Sequence, residues 1–331
     1  MQKTKKLLQT QFFCFMKTTL STLAIAFTLA AITPAAMAQT KTAPLSNPKY
    51  DATLLVRSAF RNLDKNYCTT SNFVSAYYKE TITKDNKAIS LNEAILDINK
   101  ASYMNAKNDQ VIIKNVRGSN PALGIDPLLV KLQGGPNTAL KLDIMKYPFL
   151  GCDSDNLTEY YTFEYEAPVN IDNKLFYVVR FDQKYPADDA LFRGKMYIEA
   201  NSFAIGKVEF AMNVERRGDA YLNFIKDKPS HLRIAVKSAN YTVGYKEYEG
   251  KWYYDYSRSD VKFAASSKKR SINSEYMVSS KMVITDFNCK GYVADKGSIM
   301  KSTDILAEKK VAGDDSLIWE LYDELMLLAL L

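Results

Sequence analysis

Residues 241–257 read YTVGYKEYEGKWYYDYS, and this stretch predicts a β-hairpin. Glu249-Gly250 at its centre suits a two-residue turn, which joins antiparallel strands and fixes their pairing. That turn sets three pairs: Tyr248 with Lys251, Tyr245 with Tyr254, and Val243 with Tyr256. One face of the hairpin is then mainly aromatic, carrying Tyr241, Val243, Tyr245, Trp252, Tyr254 and Tyr256. The other face is mainly polar, carrying Thr242, Lys246, Lys251, Tyr253 and Asp255. Such one-sided strands are typical of an antiparallel sheet that is covered on one face.

The same alternation occurs earlier in the chain. In residues 161–166 and 207–212, apolar side chains alternate with polar ones, which is the pattern of a half-buried strand. Asp172-Asn173-Lys174 is a turn signal that leads into a further strand at 175–181. We therefore expect several antiparallel strands that share one buried face.

Residues 90–100 give two conflicting signals. Ser90 followed by Glu93 resembles a capping box, which would open a helix. Against a helix, the segment alternates along its length, with Ala94, Leu96 and Ile98 between Ile95, Asp97 and Asn99. Asp85-Asn86 would turn the segment back onto 73–82, so we favour a strand and keep a helix as the alternative.

Three helices are expected around the sheet. The first has an apolar stripe at helical spacing, formed by Ala52, Leu55, Val56, Ala59, Phe60 and Leu63. A central helix near 137–146 stops before Pro148, and a C-terminal helix begins at about Ser316. The fold class is therefore mainly β (α+β), with a single domain at 49–331.

The central helix follows LQGGPNTAL, residues 132–140, whose double glycine raises the question of a ligand loop. A phosphate-binding turn needs Gly-x-x-x-x-Gly-Lys-Ser/Thr or Gly-x-Gly-x-x-Gly between a strand and a helix. Gly134-Gly135-Pro136 fits neither pattern. Glycine permits an unusual dihedral angle and proline suits the first helical turn, so we favour a helix start over a ligand site.

The first 38 residues have the layout of a secretory signal peptide. Basic residues come before or beside an apolar run at 20–32, and Ala36-Met37-Ala38 provides a small-residue cleavage site. Met16 is an alternative start. A retained membrane anchor is the competing interpretation, but the run is shorter than the roughly 20 residues of a membrane span. We predict a periplasmic protein with a flexible lead-in at 39–48 and no transmembrane span after cleavage.

Cleavage also changes the charge of the chain. The whole chain has 44 Lys+Arg and 37 Asp+Glu, and loss of the four lysines of the signal lowers the net charge from +7 to +3. That balance does not favour nucleic acid as a partner. Cys68, Cys152 and Cys289 remain after cleavage. They could supply one disulfide and one thiol, or three buried thiols, and their spacing does not decide the pairing.

Catalytic patterns are sparse, and we predict no catalytic residue, no metal and no cofactor. His231 is the one histidine of the chain and is expected at the surface near a strand start. Cys152-Asp153-Ser154-Asp155 lacks the glycine and distal glutamate of a calcium loop, so it is interpreted as a polar turn. Glu164 and Glu166, about 6–7 Å apart on one strand face, would be compatible with a hydrolase that uses paired carboxylates.

Four segments resemble exported Bacteroidetes proteins that are usually named carboxypeptidase-like regulatory domain-containing proteins. They are LNEAILDI at 91–98, LQGGPNTAL at 132–140, GKMYIE at 194–199 and the strand pair at 245–254. The family name refers to a small β-sandwich that usually precedes this region. Only about ten residues lie between the cleavage site and the first helix, so that module is expected to be absent. The resemblance implies no carboxypeptidase activity and supplies no catalytic residues.

A second resemblance concerns the fold. GKMYIEANSFAI at 194–205, together with a helix that precedes long antiparallel strands, is similar to the half-barrel of lipoprotein carriers and related periplasmic sensors. This resemblance implies a curved antiparallel sheet or half-barrel whose apolar concave face is partly covered by helices. Such a face holds a ligand or is filled by its own side chains.

We therefore expect a non-catalytic binding or interaction protein of the cell envelope. Its partner would be an apolar or lipid-like ligand, or an envelope protein. The residues expected to bind the ligand are the aromatic ones of the hairpin, Tyr241, Tyr245, Trp252, Tyr254 and Tyr256. These rings combine apolar area with a polar tip, although a plain core, covered by the two terminal helices, is the more ordinary use of such a face. A paired-carboxylate hydrolase and a purely structural envelope protein are the alternatives.

Overall fold

The structure is a computed structural model, and it describes residues 51–119, 131–132, 135–148, 157–184, 190–216, 224–228, 230–288, 299–301, 304, 306, 319–320 and 322. The predicted signal peptide and lead-in, Cys152, Cys289 and the polar turn at 152–155 lie outside the described residues. Cys68 carries a free thiol.

Ten of the described strands form one antiparallel sheet with the order β3-β2-β1-β12-β11-β10-β8-β7-β6-β5. β4 and β9 form a separate pair. Strands β3 and β5 end the order and do not pair with each other, so the sheet formed by the described strands is open. The strand bounds are β1 Asn72–Lys84, β2 Lys87–Lys100, β3 Gln110–Ser119, β4 Lys131–Leu132, β5 Tyr161–Ile171, β6 Lys174–Gln183, β7 Phe192–Glu199, β8 Ile205–Met212, β9 Ile225–Asp227, β10 Arg233–Tyr248, β11 Lys251–Ser267 and β12 Ile272–Asn288.

Three two-residue turns join consecutive strands of the sheet. Asp85-Asn86, Asp172-Asn173 and Glu249-Gly250 all have positive φ angles at both positions. Two successive left-handed residues match the right-handed twist of the flanking strands, which is why such turns close hairpins. The predicted hairpins at these three places are therefore confirmed.

The ambiguous segment is a strand, because residues 90–100 belong to β2. β2 pairs with β1 on one side and with β3 on the other. Ala94, Leu96 and Ile98 enter the core, as their alternation predicted.

The predicted register of the 241–257 hairpin is correct near the turn and wrong beyond it. Tyr248 pairs with Lys251 and Tyr245 with Tyr254, but Tyr256 pairs with Gly244 instead of Val243. A β-bulge after Gly244 causes the shift. The ring of Tyr256 lies over Gly244, where an added Cβ would be 2.6 Å from two ring carbons. A glycine at this position leaves room for the ring, and the bulge puts Tyr256 on the opposite face.

Helix α1, Ala52–Arg61, follows the predicted apolar stripe and buries Ala52, Leu55, Val56 and Ala59. The Thr53 amide donates to the Asp51 carboxylate at 2.9 Å, which caps its first turn. The predicted central helix is shorter than expected: α3 spans Pro136–Leu140, and turns occupy the residues up to 147. Two further helices are single turns, α2 at Leu63–Asn66 and α4 at Leu157–Tyr160. Residues 319, 320 and 322, which are the described part of the predicted C-terminal helix, are helical.

The sheet has two different faces. Residues of α1 and α3 belong to the same apolar cluster as Tyr78, Leu96 and Met196 of the sheet. We call the face that carries this cluster the covered face and the opposite one the open face. Tyr77 and Ile95 of the open face pack against Trp319. The two terminal segments therefore contact opposite faces, which corrects the expectation that they cover the same one.

A buried carboxylate organises this open-face cluster. Glu93 is bonded to the hydroxyl of Tyr77, to the Arg117 Nε at 2.6 Å and to the Lys79 Nζ at 3.1 Å. The Arg117 guanidinium lies 4.3 Å from the ring centroid of Trp319. Burial raises the pKa of Glu93, but the hydrogen bonds from Arg117, Tyr77 and Lys79 outweigh it, and the net effect lowers the pKa.

We expect Glu93→Gln to lower the free energy of unfolding at pH 7 by about 1.5–3 kcal/mol, because hydrogen bonds to a charged acceptor are lost. A lowered pKa contributes stability above the unfolded-state value of about 4.3 and loses it as pH falls through the folded-state value. The difference between wild type and variant should therefore shrink below about pH 4. Urea unfolding from pH 7 to pH 3 measures it. Glu164→Gln, which removes an exposed ion pair with Arg180, should leave the stability almost unchanged.

Within the described residues, no helix has both the length and the apolar character to span a membrane.

Candidate functional site

Three of the five aromatic residues proposed to bind a ligand are core residues. Tyr245, Trp252 and Tyr254 are buried on the covered face. The Trp252 ring meets the Phe176 ring edge to face at 6.3 Å, and the Tyr254 hydroxyl bonds the Ser257 hydroxyl at 2.6 Å. This part of the covered face is filled by its own side chains.

A buried ion cluster lies beside these rings. The Lys100 ammonium is 2.9 Å from the Asp109 carboxylate and 2.7 Å from the Asp143 carboxylate, and all three side chains are at most 4% exposed. The Tyr245 hydroxyl donates to Asp143 at 2.9 Å. Burial lowers the pKa of Lys100, but the two carboxylates outweigh burial and raise it well above its usual value.

The ion cluster joins segments that are far apart in the chain. Lys100 ends β2, Asp109 comes just before β3, and Asp143 lies in the turns after α3. The Lys100 ammonium also lies 5.0 Å from the ring centroid of Tyr254. The cluster therefore fixes the loop 101–109 and the segment after α3 against the aromatic core.

A single row of directly paired residues crosses the covered face from β3 to β5, about 26 Å along β2 from the ion cluster. We call it the cross-strand row. Each member pairs with the next, in the order Gly118, Asn92, Glu80, Ser280, Ser259, Tyr241, Phe210, Gly194, Phe181 and Phe163. Directly paired residues of an antiparallel sheet project from the same face. Apart from Gly118 and Gly194, the members of the row carry polar groups from β2 to β10 and aromatic rings from β8 to β5.

Glu80 is the titratable carboxylate of the polar half. The Tyr78 hydroxyl donates to it at 2.9 Å, and the backbone of Gly135 also bonds to it. Burial raises the pKa of Glu80, and these two hydrogen bonds do not compensate. The turn that the sequence marked as glycine-rich therefore lies against the polar half of the row, although it also starts α3 as predicted, with Gly135 at φ +85°.

Tyr241 lies at the boundary between the polar half and the aromatic half of the cross-strand row. Its ring stacks on the Phe210 ring at 5.0 Å. Its hydroxyl makes no hydrogen bond to the residues that the structure describes, and burial raises its pKa. Tyr241, Ser259, Ser280 and Glu80 are all half-buried. The cross-strand row is therefore partly accessible at the boundary between its polar and aromatic halves. At this boundary the polar head group of an amphiphile would join its apolar chain.

The sequence of the hairpin identified one member of this row and missed the others. Tyr241 was selected from its alternation with polar residues, whereas Tyr256 was assigned to the covered face in error, because of the bulge. Glu80, Ser259 and Ser280 occupy inward positions of their strands, so polar residues inside an apolar alternation are the signal that could have identified them. Alternation alone does not show that they are aligned across three strands.

The other candidate residues lie elsewhere. His231 is half-buried two residues before β10. Glu164 is ion-paired with Arg180, and Glu166 lies 2.6 Å from Lys195, both on the open face. Among the described residues there is no group of three or more His, Cys, Asp or Glu side chains that could hold a metal ion.

No protein-family model matches the chain, and no curated protein matches it. Three solved structures resemble it in part. A DUF1329 family protein from Desulfovibrio piger has 10% identity and a TM-score of 0.34, and the match covers 74% of this chain and 96% of that one. A putative outer membrane lipoprotein-sorting protein domain from Vibrio parahaemolyticus has 9% identity and a TM-score of 0.29, with coverages of 74% and 94%. A LolA superfamily protein from Nitrosomonas europaea has 13% identity and a TM-score of 0.31, with coverages of 73% and 94%.

Structural similarity at these identities and TM-scores supports no conclusion about the ligand or role of this chain. The name of the Vibrio protein refers to lipoprotein sorting, and the sequence was expected to resemble lipoprotein carriers in fold. The comparisons give no support for the expected resemblance to carboxypeptidase-like regulatory domain-containing proteins, so that expectation stays a prediction.

Proposed function

We propose that this chain is an exported, non-catalytic binding protein of the cell envelope that holds a lipid-like ligand on the covered face of a curved, half-barrel sheet. The cross-strand row is the observation that carries the proposal. Its polar half suits a head group and its aromatic half suits an apolar chain, because each half matches one end of an amphiphile.

Curvature of the sheet is supported by a distance across it. Strands β2 and β11 are separated by β1 and β12, so their axes would lie about 14 Å apart in a flat sheet. The Lys100 ammonium at the end of β2 nevertheless lies 5.0 Å from the ring centroid of Tyr254 on β11. Bending toward the covered face brings these two side chains together, and the row runs along the resulting concave surface.

The row also orients the ligand. Glu80, with its raised pKa, and the hydroxyls of Ser280, Ser259 and Tyr241 provide hydrogen-bonding groups at one end. Past Tyr241, the row is apolar: the rings of Phe210 and Phe181 are buried, the ring of Phe163 is half-buried, and Gly194 presents no side chain. A head group therefore lies over β1 and β12, and an acyl chain extends over β8 to β5.

Native mass spectrometry of residues 39–331, purified from a bacterial periplasm without detergent, tests the proposal. We expect a discrete excess mass that disappears on denaturation. If the protein is bare, it is incubated with vesicles of phosphatidylethanolamine and phosphatidylglycerol and measured again. A bare mass after that incubation contradicts the proposed function and favours a protein-interaction or structural role.

A substitution locates the ligand. Ser259 is half-buried between Tyr241 and Ser280, so Ser259→Phe should fill the row and remove the excess mass from most of the population. Thr242→Phe places the same ring on the open face of β10, where Thr242 pairs with Glu209 and Arg258, and should retain the ligand. Equal occupancy in both variants would place the ligand elsewhere.

No observation favours the paired-carboxylate hydrolase. Glu164 and Glu166 are held by Arg180 and Lys195 on the open face. An ion-paired carboxylate on a solvated face has neither the burial nor the opposed partner that raises the pKa of an acid catalyst.

A further inference from the structure

A cleft of about 1220 Å³ opens at the end of the sheet where β2 ends and β3 begins. The loop 101–109, the turn 69–71, the start of β3 and residues around α3 form its walls. Its lining residue Asn99 lies seven residues along β2 from Asn92, which is about 23 Å in a strand. The cleft is therefore separate from the cross-strand row, and binding in the cleft does not depend on the function proposed for the row.

Five of the 18 residues that line the cleft carry side-chain amides. They are Asn99, Asn105, Asn108, Gln110 and Asn137, and Thr70 and Ser71 add hydroxyls. Each amide offers both donors and an acceptor, and each hydroxyl does the same on a smaller scale. A ligand that matches this surface must itself alternate donors and acceptors, which is the property of a polyhydroxylated molecule. The ring of Tyr147 supplies a flat apolar surface beside these groups.

Hydrogen bonds hold the loop 101–109, which carries several of these residues, in place. The Asp109 carboxylate accepts the Ala101 amide at 2.9 Å, and the Lys146 ammonium donates to the Asn105 carbonyl at 2.8 Å. The Ser102 hydroxyl donates to the Thr69 carbonyl at 2.7 Å, which ties the loop to the turn 69–71. A preorganised polar surface loses little conformational freedom when a ligand binds.

Charge at the cleft is uneven. In its floor, two cations and two carboxylates balance: Lys100 and Lys146 with Asp109 and Asp143. At the rim, Lys107 and Lys141 are exposed, and neither is ion-paired with any residue that the structure describes. The cleft therefore presents net positive charge next to neutral hydrogen-bonding groups.

We propose that this cleft binds an acidic glycan, with its hydroxyls on the amide-lined wall and its carboxylates near Lys107 and Lys141. The side-chain amides of the wall are matched by sugar hydroxyls, and the lysines of the rim are matched by negatively charged groups. A neutral sugar would satisfy only the wall, and a simple polyanion would satisfy only the rim.

Isothermal titration calorimetry of residues 39–331 tests the proposal with three probes: tetragalacturonate, neutral maltotetraose and polyglutamate. We expect the acidic tetrasaccharide to bind about tenfold more tightly than the neutral one at low salt, and the difference to shrink as salt is added. Polyglutamate, which has charge without sugar hydroxyls, should bind more weakly than tetragalacturonate. Absence of binding by either sugar, or equal binding by polyglutamate, overturns the proposal.

Variants separate the two parts of the cleft. Asn108→Ala and Gln110→Ala change exposed side chains and should weaken both sugars. Lys107→Gln and Lys141→Gln should each weaken only the acidic sugar, by about two- to fivefold. Lys87→Gln, an exposed lysine in the β1–β2 turn region, is the matched control and should change neither affinity. If Lys87→Gln weakened binding of the acidic sugar as much as Lys107→Gln and Lys141→Gln do, binding would depend on the overall charge of the protein. That result would contradict binding in the cleft.

Discussion

Replacement of Lys100 by methionine is expected to lower the free energy of unfolding by about 3–5 kcal/mol. Methionine keeps the length of the side chain and removes its charge, so Asp109 and Asp143 stay buried without a cation. Their side chains are 2% and 0% exposed, and water cannot replace the lost partner. A broken buried ion pair costs far more than the intact pair contributes, because an uncompensated charge remains in the interior.

Urea unfolding at pH 7 measures this loss. Lys107→Met, an exposed residue of the same loop, is the control and should stay within about 0.5 kcal/mol of the wild type. The triple variant Lys100→Met, Asp109→Asn, Asp143→Asn should recover part of the loss, because it removes the orphaned charges. A Lys100→Met variant as stable as its control would show that the three groups are not buried together.

The pH dependence of the same variant gives an independent check. The folded-state pKa of Lys100 is raised, so its stabilising contribution is fully present below the unfolded-state value of about 10.4 and is lost as pH rises through the folded-state value. In the wild type, the stabilising contribution of Lys100 should therefore be constant from about pH 6 to pH 9. It should decrease only at strongly alkaline pH.

Gly194→Ala is expected to destabilise the protein by about 3 kcal/mol, at the upper end of the usual cost of overpacking. A Cβ at this position would overlap the Glu209 carbonyl oxygen and would lie 2.7 Å from the Phe210 Cα. Both atoms belong to the backbone of β8, so β7 and β8 would have to separate. The row would lose its alignment in the aromatic half at the same time.

The matched control is Gly118→Ala at the other end of the row. There the nearest atom to a new Cβ is the Asn92 side-chain oxygen at 2.7 Å, and the nearest backbone atom is 3.1 Å away. A side chain can rotate, so we expect a cost of about 1 kcal/mol. Thermal unfolding of both variants measures the difference. Equal stability of the two would show that β7 and β8 are not as close as described.

The candidate site was less predictable than the fold. Tyr241 was identified because it alternates with polar neighbours, but the same argument placed Tyr256 on the wrong face. The error came from one extra residue of β11, Asp255, opposite the step from Gly244 to Tyr245, which reverses the face of the β11 residues beyond it. Glu80, Ser259 and Ser280 come from three strands, and nothing local to any strand indicates that they meet.

The sequence by itself determined the strand periodicity, the two-residue turns and the start of α1. These features depend on residues within a few positions of one another, through dihedral preferences and alternating burial. Tertiary structure decided the bulge, the cross-strand row and the partners of Lys100, which is nine residues from Asp109 and 43 from Asp143. Contacts at such separations depend on which strands become neighbours, and this is set when the whole sheet packs its covered face.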